Sequence, residues 1–193
     1  MQIAGDIAAS GFMDHAREVS ATFQKNRIAV IIAVAAIEDQ MCGIIERFLF
    51  SDEPYRSSKR GFFETHILAS EWCSFANKLR LVVTLAKQEN LLEKKALEQF
   101  EKDIRRAMRL RNAFTHGQLR VAQPTSTLHF YEGAPRSEML TDQWLELVEA
   151  ELHLAERVVS DLRKKCEARW PMQGEPERFE SVDAERTSGV DGK

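Results

Sequence analysis

Cysteine is scarce: Cys42, Cys73 and Cys166 are far apart, form no CxxC pair and are odd in number, which excludes a disulfide framework and points to a reduced, cytoplasmic protein. Nine glycines and five prolines in 193 residues leave room for long unbroken helices and exclude a low-complexity or collagen-like chain. No long hydrophobic run is present either. The most apolar stretch, 28–37, lies between Arg27 and Glu38-Asp39 and is about half as long as a membrane span requires, so it reads as a buried helix and no membrane association is expected. A basic, then apolar, then small-residue leader is also missing at the N-terminus, which argues against export. The net charge of −3 excludes a protein that coats nucleic acid through overall charge, though not a local basic patch.

The catalytic motifs that are missing narrow the chemistry. HExxH, clustered Cys and His, a Gly-rich phosphate loop and a GxSxG elbow are all absent, so neither a metal site nor a cofactor is expected.

What is present is helical periodicity. Apolar residues recur at three- and four-residue steps from about Met13 to Phe50, with a possible break at Lys25-Asn26. Ser51 to Pro54 stops that helix, and 56–61 reads as a polar connector. A second helical region covers 62–88, with a weak point at Trp72-Cys73-Ser74. A third spans 92–116, carrying Leu97, Phe100, Ile104, Ala107, Met108 and Phe114 as a stripe and Gly117 at the expected C-cap. Alternation at Leu119 and Val121, then at Leu128 and Phe130, predicts a two-stranded hairpin. Ser137 or Thr141 caps a last helix that runs to about Arg169. These elements predict an all-α, up-and-down four-helix bundle with a small β-hairpin between the last two helices, one domain over 1–170 and a disordered tail over 171–193.

The third helix's stripe calls for an apolar residue at 111 and finds Arg111. A guanidinium turned inward needs a partner, because leaving it desolvated and unpaired costs several kcal/mol. Glu38 and Asp39, which interrupt the first helix's own stripe, are the expected supports. Two readings follow: a structural Arg–carboxylate pair joining two helices, or a site. His116 lies five residues on, about 140° round an ideal helix, so a two-fold dimer is the natural way to gather two arginines and two histidines in one pocket. Histidine moves protons near neutral pH and arginine grips phosphate through two hydrogen bonds. Together they suit metal-free RNA cleavage by the neighbouring 2′-hydroxyl. No acid occurs from 105 to 120, and Arg105, Arg106, Arg109, Arg111 and Arg120 do. Arg105 and Arg106 are explained by the helix dipole, leaving Arg109 and Arg120 as phosphate-binding candidates. His15, His66, His129 and His153 read as ordinary residues, Cys42 and Cys73 as core, and Trp72, Trp144 and Trp170 as packing anchors.

The string Arg111-Asn112-Ala113-Phe114-Thr115-His116 matches the Arg, polar residue, three variable residues, His pattern of the HEPN superfamily. An apolar helix with a central acid, then 74–81, then this motif and Gly117 follow the order seen in HEPN proteins of the mannitol-operon-repressor type, and the likeness spans about 20–165. The resemblance implies a helical homodimer with the motif at its interface and, in catalytic members, a metal-independent endoribonuclease of toxin–antitoxin or defence systems. It implies Arg111 and His116 as the catalytic pair with Asn112 in support, RNA as substrate, and an antitoxin or nucleotidyltransferase as partner. Other members are non-catalytic regulators or interaction modules, which is the alternative here. One departure is Gln118, where some toxins carry a tyrosine.

Overall fold

The computed structural model describes residues 2–54, 57–122, 125–172 and 174, with side chains from residue 12 onward. Among these residues the chain is mostly helical: α1 (Gln2–Phe50), α2 (Ser58–Phe63) continuing into a π-helical turn (Glu64–Leu68), α3 (Phe75–Gln88), α4 (Lys94–His116) and α5 (Asp142–Arg169). Between α4 and α5 lies an antiparallel sheet of three strands, β1 (Gln118–Arg120), β2 (Thr127–Tyr131) and β3 (Pro135–Met139), in the order β1-β2-β3.

The core forms where apolar stripes meet. Val30, Val34, Ile37, Met41 and Ile44 of α1 are buried together with Leu79 and Val82 of α3, Phe100 and Ile104 of α4, and Ala155, Val159 and Leu162 of α5. α1 touches α3, α4 and α5, and so is the element around which the others assemble. Side-chain caps define the shorter starts. Ser57 Oγ accepts from the Arg60 N–H, Ser74 Oγ from Asn77, and Thr141 Oγ1 from Trp144, each satisfying a donor that has no partner within its helix.

Several expectations shift. α1 continues unbroken through Lys25-Asn26, since neither residue removes a backbone donor. The connector at 56–61 contains the start of α2. The second region divides at the weak point its sequence marks, Trp72-Cys73-Ser74, with α3 separated from the π-helical turn by 69–74. The expected hairpin acquires a third strand: Ser137 lies in β3, paired across from His129, and Thr141 is the cap. Trp72 is 72 % exposed and anchors nothing, whereas Trp170 meets Phe48 edge-on. The packed part of the chain extends past Arg169, because Met172 is buried and its Sδ lies 2.8 Å from Arg60 Nη1. The remainder of the expected tail, 175–193, lies outside the described residues.

Among the described residues one helix, Phe12–Phe50 within α1, is long and apolar enough to cross a membrane, with a mean hydropathy of 2.0 in its most apolar window. That exceeds the short run visible in the sequence, because Glu38 and Asp39 interrupt the apolar character without ending it. The same helix supplies core residues from Phe23 to Ile45.

Candidate functional site

The end of α4 is held firmly. Phe114 is fully buried, stacked on Phe23 of α1 at 5.6 Å and on Trp144 of α5 at 5.5 Å. Arg27 of α1 donates from Nη2 to the Thr115 carbonyl at 3.2 Å, giving the negative end of the helix a cation. Sequence periodicity does not reveal this contact, which joins residues 88 positions apart. Gly117 then turns the chain into β1. Gly117 is the C-cap, as its position in the sequence suggests, but its φ of −71° is open to any residue, so the backbone angle is not what requires glycine. A Cβ there would lie 2.2 Å from the Ala113 carbonyl oxygen and 2.7 Å from Leu128 Cδ1, and only glycine lets strand and helix approach so closely.

On this support Arg111 is half-buried, Asn112 is exposed and His116 is exposed. The inward orientation expected for Arg111 is only half realised. Ala113 and Phe114 are buried beside the sheet and α5, which rotates the covered face of α4 and leaves Arg111 at its edge. Among the described residues Arg111 makes no ion pair, and neither does Arg120.

Glu38 and Asp39 do not support Arg111. The Glu38 carboxylate is bonded at 2.5 Å to Lys78 Nζ of α3, and Asp39 is exposed. The reason is distance along α1: the end of α4 meets α1 at Phe23 and Arg27, and Glu38 lies eleven residues further, roughly 16 Å at helical rise. The basic cluster is also smaller than its sequence suggests. Arg105 pairs with Glu101 at 2.6 Å, Arg106 with Glu151 at 3.7 Å, and Arg109 with Glu132 at 3.2 Å, an acid that Arg136 shares. Arg109 is therefore paired, although it shares its acid, leaving Arg111 and Arg120, with Arg27 on the carbonyl, as the cationic groups of this end beside His116.

Two other features frame the site. α1 carries an exposed apolar stripe beside it: Ile28, Ile31 and Ile32 are 58 %, 37 % and 63 % exposed. Elsewhere, a cleft of about 510 Å³ between α1, α2 and α5 is lined by Glu38, Glu46, Arg47, Arg60, Glu64 and Arg163 among others. Its charges answer one another, with Arg60 at 2.8 Å from Glu46 and 3.0 Å from Glu64, and Arg47 and Arg163 both on Glu167. Burial, reinforced by the nearby Glu64, lifts the Glu46 carboxyl to about 6 although Arg60 opposes the rise. Burial likewise pushes the Cys42 and Cys166 thiols up to about 11, which leaves them poor nucleophiles at neutral pH. Among the described residues no group of three or more His, Cys, Asp or Glu is placed to hold a metal ion. No protein-family model, curated protein or solved structure matches the chain.

Proposed function

We propose that this chain is a HEPN-type, metal-independent endoribonuclease that works as a homodimer, with Arg111 and His116 as its catalytic pair. The observation that carries this reading is a contrast in charge pairing. The buried bases Arg47, Arg60 and Lys78 each meet a carboxylate, whereas Arg111 meets none among the described residues and shares a helix end with an exposed histidine. A half-buried guanidinium without an acid is suited to an incoming anion. In this reading α1, α3, α4 and α5 form the up-and-down bundle, and the protein is cytoplasmic.

The chemistry needs two proton transfers. One His116 takes the proton of a ribose 2′-hydroxyl, the 2′-oxygen attacks the adjacent phosphorus, and the 5′-oxygen leaves with a proton from the second His116. Arg111 offsets the charge that builds on the phosphoryl oxygens, and Arg120 holds a neighbouring phosphate, with Arg109 and Asn112 in lesser support. The exposed stripe of α1 supports the dimer. Lys25, Ile28, Ile32, Ala35 and Asp39 follow the alternating three- and four-residue spacing of a helix–helix seam, and in an antiparallel pair the Lys25 and Asp39 ends meet opposite charges. Because Arg27 already touches Thr115, the motif lies beside such a seam. A place in a toxin–antitoxin or defence system, with an antitoxin or nucleotidyltransferase partner, belongs to the same reading.

The alternative, a non-catalytic regulator, is favoured by one observation: Arg111 and His116 are not bonded to each other within one chain. Incubating single-stranded RNA with the purified protein in EDTA separates the two. The nuclease reading expects cleavage leaving 2′,3′-cyclic phosphates, reduced on the order of 10²-fold or more by Arg111→Ala and by His116→Ala. Equal residual cleavage by all three proteins overturns it.

A further inference from the structure

A separate groove of about 530 Å³ runs between α4 and α5. Its walls are apolar, formed chiefly by Leu92, Phe100, Val158 and Leu162, and Asp103 lies among them. The spacing explains how both helices line it: 96, 99, 100 and 103 share one face of α4, and 158, 161, 162 and 165 share one face of α5.

Asp103 is only 3 % exposed, and its one hydrogen bond among the described residues is from the neutral Gln99 amide, at 2.7 Å to Oδ1. Among the described residues no cation is paired with it. Lys165, the nearest candidate on the opposite helix, turns its ammonium to the Leu91 carbonyl at 3.4 Å. Asp161 lies exposed on the same lining, 3.9 Å from the solvent-facing Lys164. A buried carboxylate is costly without a compensating positive charge. Every other strongly buried charged side chain among the described residues, Glu46, Arg47, Arg60 and Lys78, has an opposite charge within 3.4 Å. Asp103 is the exception, and it lines a groove whose volume is in the range of small-molecule sites.

We propose that the α4–α5 groove binds an organic ammonium ion, a primary amine with an apolar body. The ammonium sits on the Asp103 carboxylate with Asp161 reinforcing it, and the body lies along Phe100, Val158 and Leu162. The site uses no residue of the 111–116 motif and stands or falls apart from the nuclease reading.

Phenethylamine and its neutral counterpart 2-phenylethanol test the proposal by titration calorimetry and by amide chemical shifts on the full chain. Saturable amine binding is expected, at least tenfold tighter than the alcohol, with shifts at Ala96 and Val158. Asp103→Asn keeps the size of the side chain and its contact with Gln99, and should weaken amine binding at least tenfold; Asp161→Asn should weaken it less. Equal binding of amine and alcohol, absence of saturation, or amine binding undiminished in Asp103→Asn overturns the proposal. The amine–alcohol comparison on the wild type decides the matter even if Asp103→Asn fails to fold.

Discussion

The cleft around Arg60 and the end of α4 around Arg111 are both rich in charge, and they handle it in opposite ways. In the cleft, Arg60 spans Glu46 and Glu64 and also touches Met172, so one guanidinium ties α1, α2 and the segment after α5 together. At the α4 end the aromatic stack does the fastening, and Arg111 is free of any carboxylate among the described residues. Charges that meet their partners inside the fold serve the fold. Charges held in place by other means are available to something outside it.

The largest effect that could break this contrast is Arg60→Ala. It leaves Glu46 buried without its cation and should lower stability by about 3–5 kcal/mol, measured by urea denaturation; a loss no greater than that of an exposed arginine would erase the distinction. Next comes the pH dependence of Glu46. Its folded pKa of about 6 stands above the ordinary 4.5, so its contribution is fully present below pH 4.5 and is lost as pH rises through about 6. Glu46→Gln should therefore reduce the fall in stability between about pH 4.5 and 7.5 by an amount on the order of 1–2 kcal/mol. An unchanged slope would show that the carboxyl does not titrate in that window. The smallest expected effect is the most diagnostic: Arg111→Ala should cost under about 1 kcal/mol. A loss matching that of Arg60→Ala would make Arg111 a structural residue.

The sequence displays those parts of the molecule that rest on local repetition. α4, α5 and the part of α1 from Phe23 onward appear as three- and four-residue stripes because each buries one face there. The Thr141 cap and the Gly117 boundary are visible because their chemistry acts within four residues. β3 is hidden because Pro135 to Met139 has no alternation of apolar residues; it is ordered by backbone pairing to β2 and by the Ser137 hydroxyl, 2.7 Å from His129 Nδ1. Pairings between distant positions are equally invisible. Glu38 goes to Lys78 rather than Arg111, and Arg27 reaches the hexamer, because of where along α1 each neighbour crosses. Asp103 escapes notice because the apolar stripe continues on both sides of it.

α1 has 49 residues against 23 in α4 and 28 in α5, and at helical rise it is a rod of about 73 Å. The hexamer meets that rod at Phe23 and Arg27, close to its midpoint. Among the described residues the side chains of α1 that enter the core begin at Phe23, so the hexamer stands where the packed body ends and the first part of α1 runs on beyond it. In the proposed nuclease reading, a strand bound at Arg111 and His116 is therefore held at the margin of the folded body, where α1 leaves it.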